Sequence, residues 1–448
     1  MKNNAALEKS SHPEVIKIIE IPFERLVIPH YQRPYKWTAK NVNQLITDVI
    51  SFRDKKQYRL GTLVLHGDEI VDGQQRIVTL TLLLGTMYRR LRDAKLKESY
   101  KDFAEKLNTF ANNTKFSNRY SLHNVVENLH VIEARENDFD DNLFVFILEK
   151  CEFVRIELSD ISEAFQFFDS QNARGKDLEA HDLLKAYHLR EIIALKDSDS
   201  QNIDCWQNQK TSYLKVVFLT LFRAKRWSQG KSARYFTKNR TDVFKGISLR
   251  DGRRYPFYQM EVIAHIFSEY YANDPTRLID QRKMEYPFNL DDQIINGSRF
   301  FDMIRHYMNL YASIRDVGFY PKGGLAEEIM TLVNNYNGVG RTGDQYVRSM
   351  FDTLILYYVD RFGKEELDKV IPKFFIWAYS LRIISPAVQL ASTDNYAASK
   401  ESMLRQVHDA KTPYDIINLY LEGVTKIECS KCEEIVEMFR KLNKIRNA

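Results

Sequence analysis

Residues 59–85, RLGTLVLHGDEIVDGQQRIVTLTLLLG, decide how the first half of this chain is read. Arg59–Leu65 and Glu69–Val71 are short β-branched runs separated by His66-Gly67-Asp68, the pattern of a hairpin turning at a glycine. Gly73 then breaks the second strand, and the apolar residues from Ile77 to Leu91 predict a helix. Asp72-Gly73-Gln74-Gln75-Arg76 therefore falls at a strand-to-helix junction. An anionic ligand needs what such a junction offers: N–H groups without intrahelical partners, a glycine that permits close approach, and a guanidinium that matches phosphate oxygens. Asp72 stands where it can bind a metal or orient water. Gln74 and Gln75 supply neutral donors and acceptors that suit a water or a γ-phosphate. Taken alone, the five residues also fit a plain turn with Arg76 on a solvated helix face.

Upstream, Val15–Ile21 and Arg25–Ile28 read as strands separated by Pro22. Thr38 reads as the N-cap of an amphipathic helix carrying Val42, Leu45, Ile46, Val49 and Ile50. The loop before it, Tyr31-Gln32-Arg33-Pro34-Tyr35-Lys36-Trp37, gathers two cations and three aromatics around a proline. That mix stacks bases and clamps phosphates, and it equally anchors a loop. Downstream, Glu152–Leu158 alternates as a strand, Ser162–Phe168 reads as a short helix and Leu178–Leu195 as a longer one. Between those helices, Asn172, Arg174 and Gly175 form a second anion-binding candidate, with Asp182 and Lys185 following. His181 and His188 share a helix face and read as packed or solvated rather than as ligands.

These segments, with Gly61 on the strand before the junction, Thr79-Leu80 after it and Phe168 leading to Asn172, resemble the domain carried by the GmrS half of the GmrSD modification-dependent restriction enzymes. The order and spacing hold over roughly residues 18–190. The resemblance implies an α+β core of the ParB and sulfiredoxin type that binds and usually hydrolyses nucleoside triphosphates, and Mg2+ is the ion expected to accompany the nucleotide. It ties hydrolysis to Asp72, Gln74, Gln75 and Arg76, with Asp72 holding the metal. Gln32, Arg33, Tyr35, Trp37, Gly61, Gly73, Asn172, Arg174, Gly175 and Lys185 become the expected nucleotide-binding set. Relatives commonly append a nuclease of the His-Asn-His type. Here the last histidine is His408 and no metal-ligand set follows it, so cleavage is expected from a partner nuclease in trans.

At 448 residues the chain has room for two domains, expected as 1–195, nucleotide-binding, and 196–448, mainly α-helical. Its 44% hydrophobic and 28% charged content is that of a folded globular protein. Four unevenly placed cysteines point to a reducing, cytoplasmic setting, and no apolar run suggests export or membrane spanning. In the second half, Phe300–Ile314, Tyr346–Phe362, Glu365–Ile384 and Glu433–Leu442 have helical spacing.

Arg223–Arg254 carries eleven basic residues against Asp242 and Asp251. The interleaved Phe222, Trp227, Tyr235, Phe236 and Phe244 suit contact with DNA, a solvated basic face being the alternative. Three motifs read as decoys. Gly230-Lys231-Ser232 has Lys225 where a phosphate loop needs its first glycine. Gly338 to Gly343 spells a dinucleotide fingerprint but follows a helix, so it reads as a helix-connecting loop. Cys429 and Cys432 could be half a zinc site, yet Ser430 and Glu433 make a capping box for the last helix.

The expectation is thus a nucleotide-dependent sensor of an anti-phage restriction system that contacts DNA and a nuclease partner, its oligomeric state open. A nucleotide-switched, non-enzymatic DNA-binding adaptor and a nuclease with an unrecognised active site are the alternatives.

Overall fold

The computed structural model describes residues 13–29, 32, 34–116, 119–158, 179–195, 206, 209–248, 255–274, 276 and 287–445. Two compact units result, Met1–Asn208 and Gln209–Ala448. The first is α+β and the second almost wholly helical, the expected class.

The first unit is built on strands β1 (Glu14–Lys17), β2 (Tyr58–His66), β3 (Glu69–Asp72) and β4 (Cys151–Glu157). They lie in the order β1-β4-β2-β3, with β4 and β2 parallel and both outer pairings antiparallel. The β2–β3 hairpin turns at Gly67, whose φ of 57° a glycine adopts freely. Helices α1 (Ala39–Phe52) and α2 (Gln74–Arg89) pack on the sheet. Thr38 and Asn41 close a capping box at the start of α1, as the N-cap reading predicts. Four helices that the spacing above does not predict complete the unit: α3 (Ala94–Ser99), α4 (Lys101–Asn113), α5 (Arg119–Ala134) and α6 (Asp141–Lys150). α7 (Ala180–Leu195) follows the sheet.

Two expected strands are corrected. Val15–Ile21 is extended only to Lys17, then turns as a 3-10 helix over Ile18–Glu20, and a second such turn, Phe23–Arg25, replaces most of the Arg25–Ile28 strand. Ile18, Ile21, Phe23 and Leu26 are all buried, and spacings of two to three residues put them on one side of tight turns rather than on one face of a strand. Only Val27 keeps a strand-like role, bridging Glu69. The expected helix at Ser162–Phe168 lies outside the described residues.

The second unit comprises α8 (Thr211–Trp227), α9 (Pro256–Asn273), α10 (Ser298–Arg315), α11 (Leu325–Asn335), α12 (Thr342–Phe362), α13 (Leu367–Ile383), α14 (Leu390–Ala397), α15 (Met403–Asp409), α16 (Pro413–Ile417) and α17 (Glu433–Lys441). α12 and α13 are buried along most of their lengths. Among the described residues, no helix is long and apolar enough to cross a membrane.

Candidate functional site

The junction is assembled from both sides of the sheet. Opposite Glu152 and Phe153 of β4, strand β2 presents Arg59 and Gly61, so Leu60 between them is an extra residue in a β-bulge. Its carbonyl accepts a hydrogen bond from Arg76 Nη1 at 3.0 Å. Gly61 has φ 124°, and a Cβ there would sit 1.7 Å from Arg76 Nη1. The backbone angle favours glycine, and a Cβ would displace the guanidinium lying across it. The guanidinium also stands over the Phe153 ring, 5.8 Å from its centroid, and Nη2 reaches Asp72 Oδ2 at 3.7 Å. Its side chain is only 25% exposed, so the solvated-face reading of Arg76 does not hold. Burial pulls its pKa down, and the Asp72 carboxylate opposes that shift without cancelling it.

Gly73, at φ 102°, turns the chain from β3 into α2, and no side chain caps the helix. The first N–H groups of α2 therefore lack intrahelical acceptors, and the positive end of its dipole lies beside Arg76. Gln74, first in the helix, is 4% exposed, and its Oε1 is buried with no hydrogen-bond partner among the described residues. Buried amide oxygens are ordinarily satisfied, and Asn128 Oδ1 on α5 shares this condition among the described residues.

Gln75 behaves differently. Its Oε1 accepts from the backbone N–H groups of Lys36 and Trp37, at 2.8 and 3.1 Å, and its Nε2 donates to Pro34 O at 3.3 Å. It tethers the aromatic loop and is not available to hold water. Gln32 is likewise committed, its Nε2 donating to the carbonyls of Ile70 and Val71 at 2.9 and 2.6 Å. Lys185, buried on α7, brings Nζ within 3.3 Å of Gln32 O, which places a second cation by the loop.

Tyr35 is fully buried. Its hydroxyl meets Thr79 Oγ1 at 2.8 Å and Asn128 Nδ2 at 3.0 Å, and burial raises its pKa. The expectation that either Tyr35 or Trp37 stacks on the base is therefore corrected for Tyr35, which anchors the loop in the core. Trp37, partly buried, is the ring of the pair left near the surface. Ser121, Asn124 and Asn128 of α5 complete the grip, bonding Tyr35 N, Tyr35 O and Trp37 O. Sequence reading missed these three, although polar residues at 121, 124 and 128 share one face of a helix whose partners there are backbone groups. Arg33, Asn172, Arg174 and Gly175 lie outside the described residues.

In the second unit four of the eight described basic residues of the stretch are held by the protein, while Lys231, Lys238, Arg240 and Lys245 stay exposed. Arg223 is buried with Nη1 on Ser349 Oγ at 2.6 Å, Lys225 donates to Leu290 O, Arg226 to Ser232 O at 2.7 Å, and Arg234 pairs with Asp394 at 3.2 Å. Phe222, Trp227 and Phe244 are fully buried, and Phe236 packs against Phe218, Phe222 and Phe244. These rings are core, which corrects their reading as a base-stacking platform. Tyr235 alone of the five is well exposed, and Arg250, Arg253 and Arg254 lie outside the described residues. Gly338 to Gly340 turns between α11 and α12, as a helix-connecting loop should. Cys429 and Cys432 are disulfide-bonded to each other and Cys432 precedes α17, so the capping box expected from Ser430 is not formed. Among the described residues, no group of three or more His, Cys, Asp or Glu side chains could hold a metal ion by itself. His408 is engaged with Tyr357 and Asp291.

No curated protein matches the chain. Two family models do: residues 198–435 match a family of unknown function (DUF7834), and residues 15–189 match the GmrSD restriction endonuclease, N-terminal domain. The second match spans the bulge, the junction and the tethered loop, and the first covers the helical unit. The chain thus belongs to the DUF7834 family, and its first unit carries a match to the N-terminal domain of the GmrSD restriction endonuclease, which supports a GmrSD-type restriction family.

Proposed function

We propose that the chain is the nucleotide-responsive component of a phage-restriction system, in which a nucleoside triphosphate seats on the start of α2 and its hydrolysis controls DNA cleavage by a partner nuclease. The observation that carries this reading is the buried, unsatisfied Gln74 Oε1 at an uncapped helix start, beside an Arg76 whose charge Asp72 meets only at 3.7 Å. The first N–H groups of α2 and the Arg76 guanidinium suit phosphate oxygens, with Lys185 as a second cation. Gln74 is left to position water. Arg33, Asn172, Arg174 and Gly175 are assigned to the remaining walls by family resemblance alone.

Asp72 is a single carboxylate, 38% exposed. Mg2+ carried on a nucleotide typically needs one or two protein carboxylates, with phosphates and waters as its other ligands, so this donor set fits. When bound, the ion would neutralise charge on the phosphates. DNA as the target follows from the name of the matching family.

The test is phosphate release from nucleoside triphosphates, with and without modified phage DNA, for the parent, Asp72→Ala and Arg76→Ala. Turnover that falls at least a hundredfold in both variants is the expected result, and unchanged turnover in both overturns the assignment. One observation favours a second reading: with Gln75 committed to the loop, one glutamine remains to activate water. Tight nucleotide binding without turnover would identify a binding-operated DNA adaptor instead.

A further inference from the structure

α9 of the second unit turns only Tyr258, Val262 and His265 fully inward among its described side chains. Its outer side carries Phe257, Met260, Ile263, Ala264, Phe267 and Tyr270, all exposed. Met260 is 72% exposed, Tyr270 71% and Phe257 65%, values unusual for large apolar groups of a soluble protein. With Ile266 alongside, they offer on the order of 800 Å2, which is what one partner contributes to a standard stable interface.

The spacing says what shape covers them. Met260, Ile263, Phe267 and Tyr270 recur at alternating intervals of three and four residues, the seam one helix presents to another. The order of side chains says which helix. A two-fold axis between Ile263 and Ala264 sets Phe257 opposite Tyr270, Met260 opposite Phe267, and Ile263 opposite Ala264. Each ring then meets a ring or a thioether, and the small alanine at the axis allows close approach. The only acidic residues of α9, Glu261 and Glu269, do not face each other in this pairing, and the helix carries no Lys or Arg. Like-charge repulsion is therefore absent, and antiparallel helix dipoles attract.

We infer that this face is a self-association surface on which a second copy of the chain docks the same helix antiparallel, forming a closed two-fold dimer. The inference is independent of the nucleotide reading.

Sedimentation equilibrium on the full chain at micromolar concentration should give a dimer for the parent and monomers for Met260→Lys and for Phe267→Glu. Combining the two substitutions in one chain should restore dimers, because each new cation then faces a new anion across the axis. Thermal unfolding followed by circular dichroism checks that the single variants stay folded. Under mild oxidation Ala264→Cys should yield covalent dimers, whereas Phe257→Cys should not, its two copies being about 20 Å apart at 1.5 Å per residue. A monomeric parent, a dimer that survives both single substitutions, or cross-linking through position 257 but not 264 would each overturn the proposal.

Discussion

The junction at residues 72–76 and the basic stretch at 223–245 use the same materials, cations and rings beside helix ends, and end in opposite electrostatic states. In the helical unit the charges find protein partners: Arg223 meets Ser349, Arg234 meets Asp394, and Arg382, buried, meets an equally buried Asp344 at 3.0 Å. At the junction, Arg76 lies largely buried over a glycine with its carboxylate 3.7 Å away, and a neighbouring amide oxygen has no partner among the described residues. A cation matched by a nearby carboxylate ties a core together, whereas one whose carboxylate stands farther off keeps capacity for another anion.

The largest effect that can break this contrast belongs to Arg382. Arg382→Ala leaves Asp344 with Arg341 and the Tyr336 hydroxyl but removes its fully buried cation and the donor to the Ser385 and Ser430 carbonyls, so urea unfolding of the helical unit should show a loss of about 2–4 kcal/mol. A loss under about 1 kcal/mol would mean that its network is dispensable. Gly61→Ala comes next: the new methyl displaces the Arg76 guanidinium and the alanine backbone must hold an unfavourable positive φ, for about 1–3 kcal/mol. Calorimetric titration should show nucleotide affinity falling at least tenfold in that variant, and an unchanged affinity would detach the bulge from the site.

A third prediction concerns pH. Burial pushes Asp360, which accepts hydrogen bonds from Tyr307 and Leu290 N, up to about 7. Its unfolded value is near 4, so the folded state binds the proton more tightly and stability falls as pH rises from about 4 through 7. Between pH 5 and 8 the helical unit should lose about 1–3 kcal/mol to this group. Parallel denaturation curves at the two pH values should show that loss largely absent in Asp360→Asn.

The smallest effects separate two neighbours. Gln75→Ala leaves the N–H groups of Lys36 and Trp37 without their acceptor and should cost about 1–2 kcal/mol. Gln74→Met removes an acceptor that bonds to nothing described, so it should shift stability by no more than about 0.5 kcal/mol while phosphate release drops. Equal stability losses in the two would erase the distinction between tether and ligand group.

Local sequence determined much of this protein. Thr38 with Asn41 starts α1, Gly67 turns the hairpin and Gly73 ends β3, because capping and positive φ are settled within a few residues. The helical second unit was legible for the same reason, its apolar spacing being local. Only the tertiary structure decided the rest. Leu60 and Arg76 meet across a bulge sixteen residues apart in sequence, and Gln75 reaches a loop some forty residues away. The rings of the basic stretch turned inward because packing on Phe218 and its neighbours removed them from water, a gain invisible in residue order. Which of two adjacent glutamines is a tether and which keeps an oxygen without a partner among the described residues is likewise set by groups that folding brings from elsewhere in the chain.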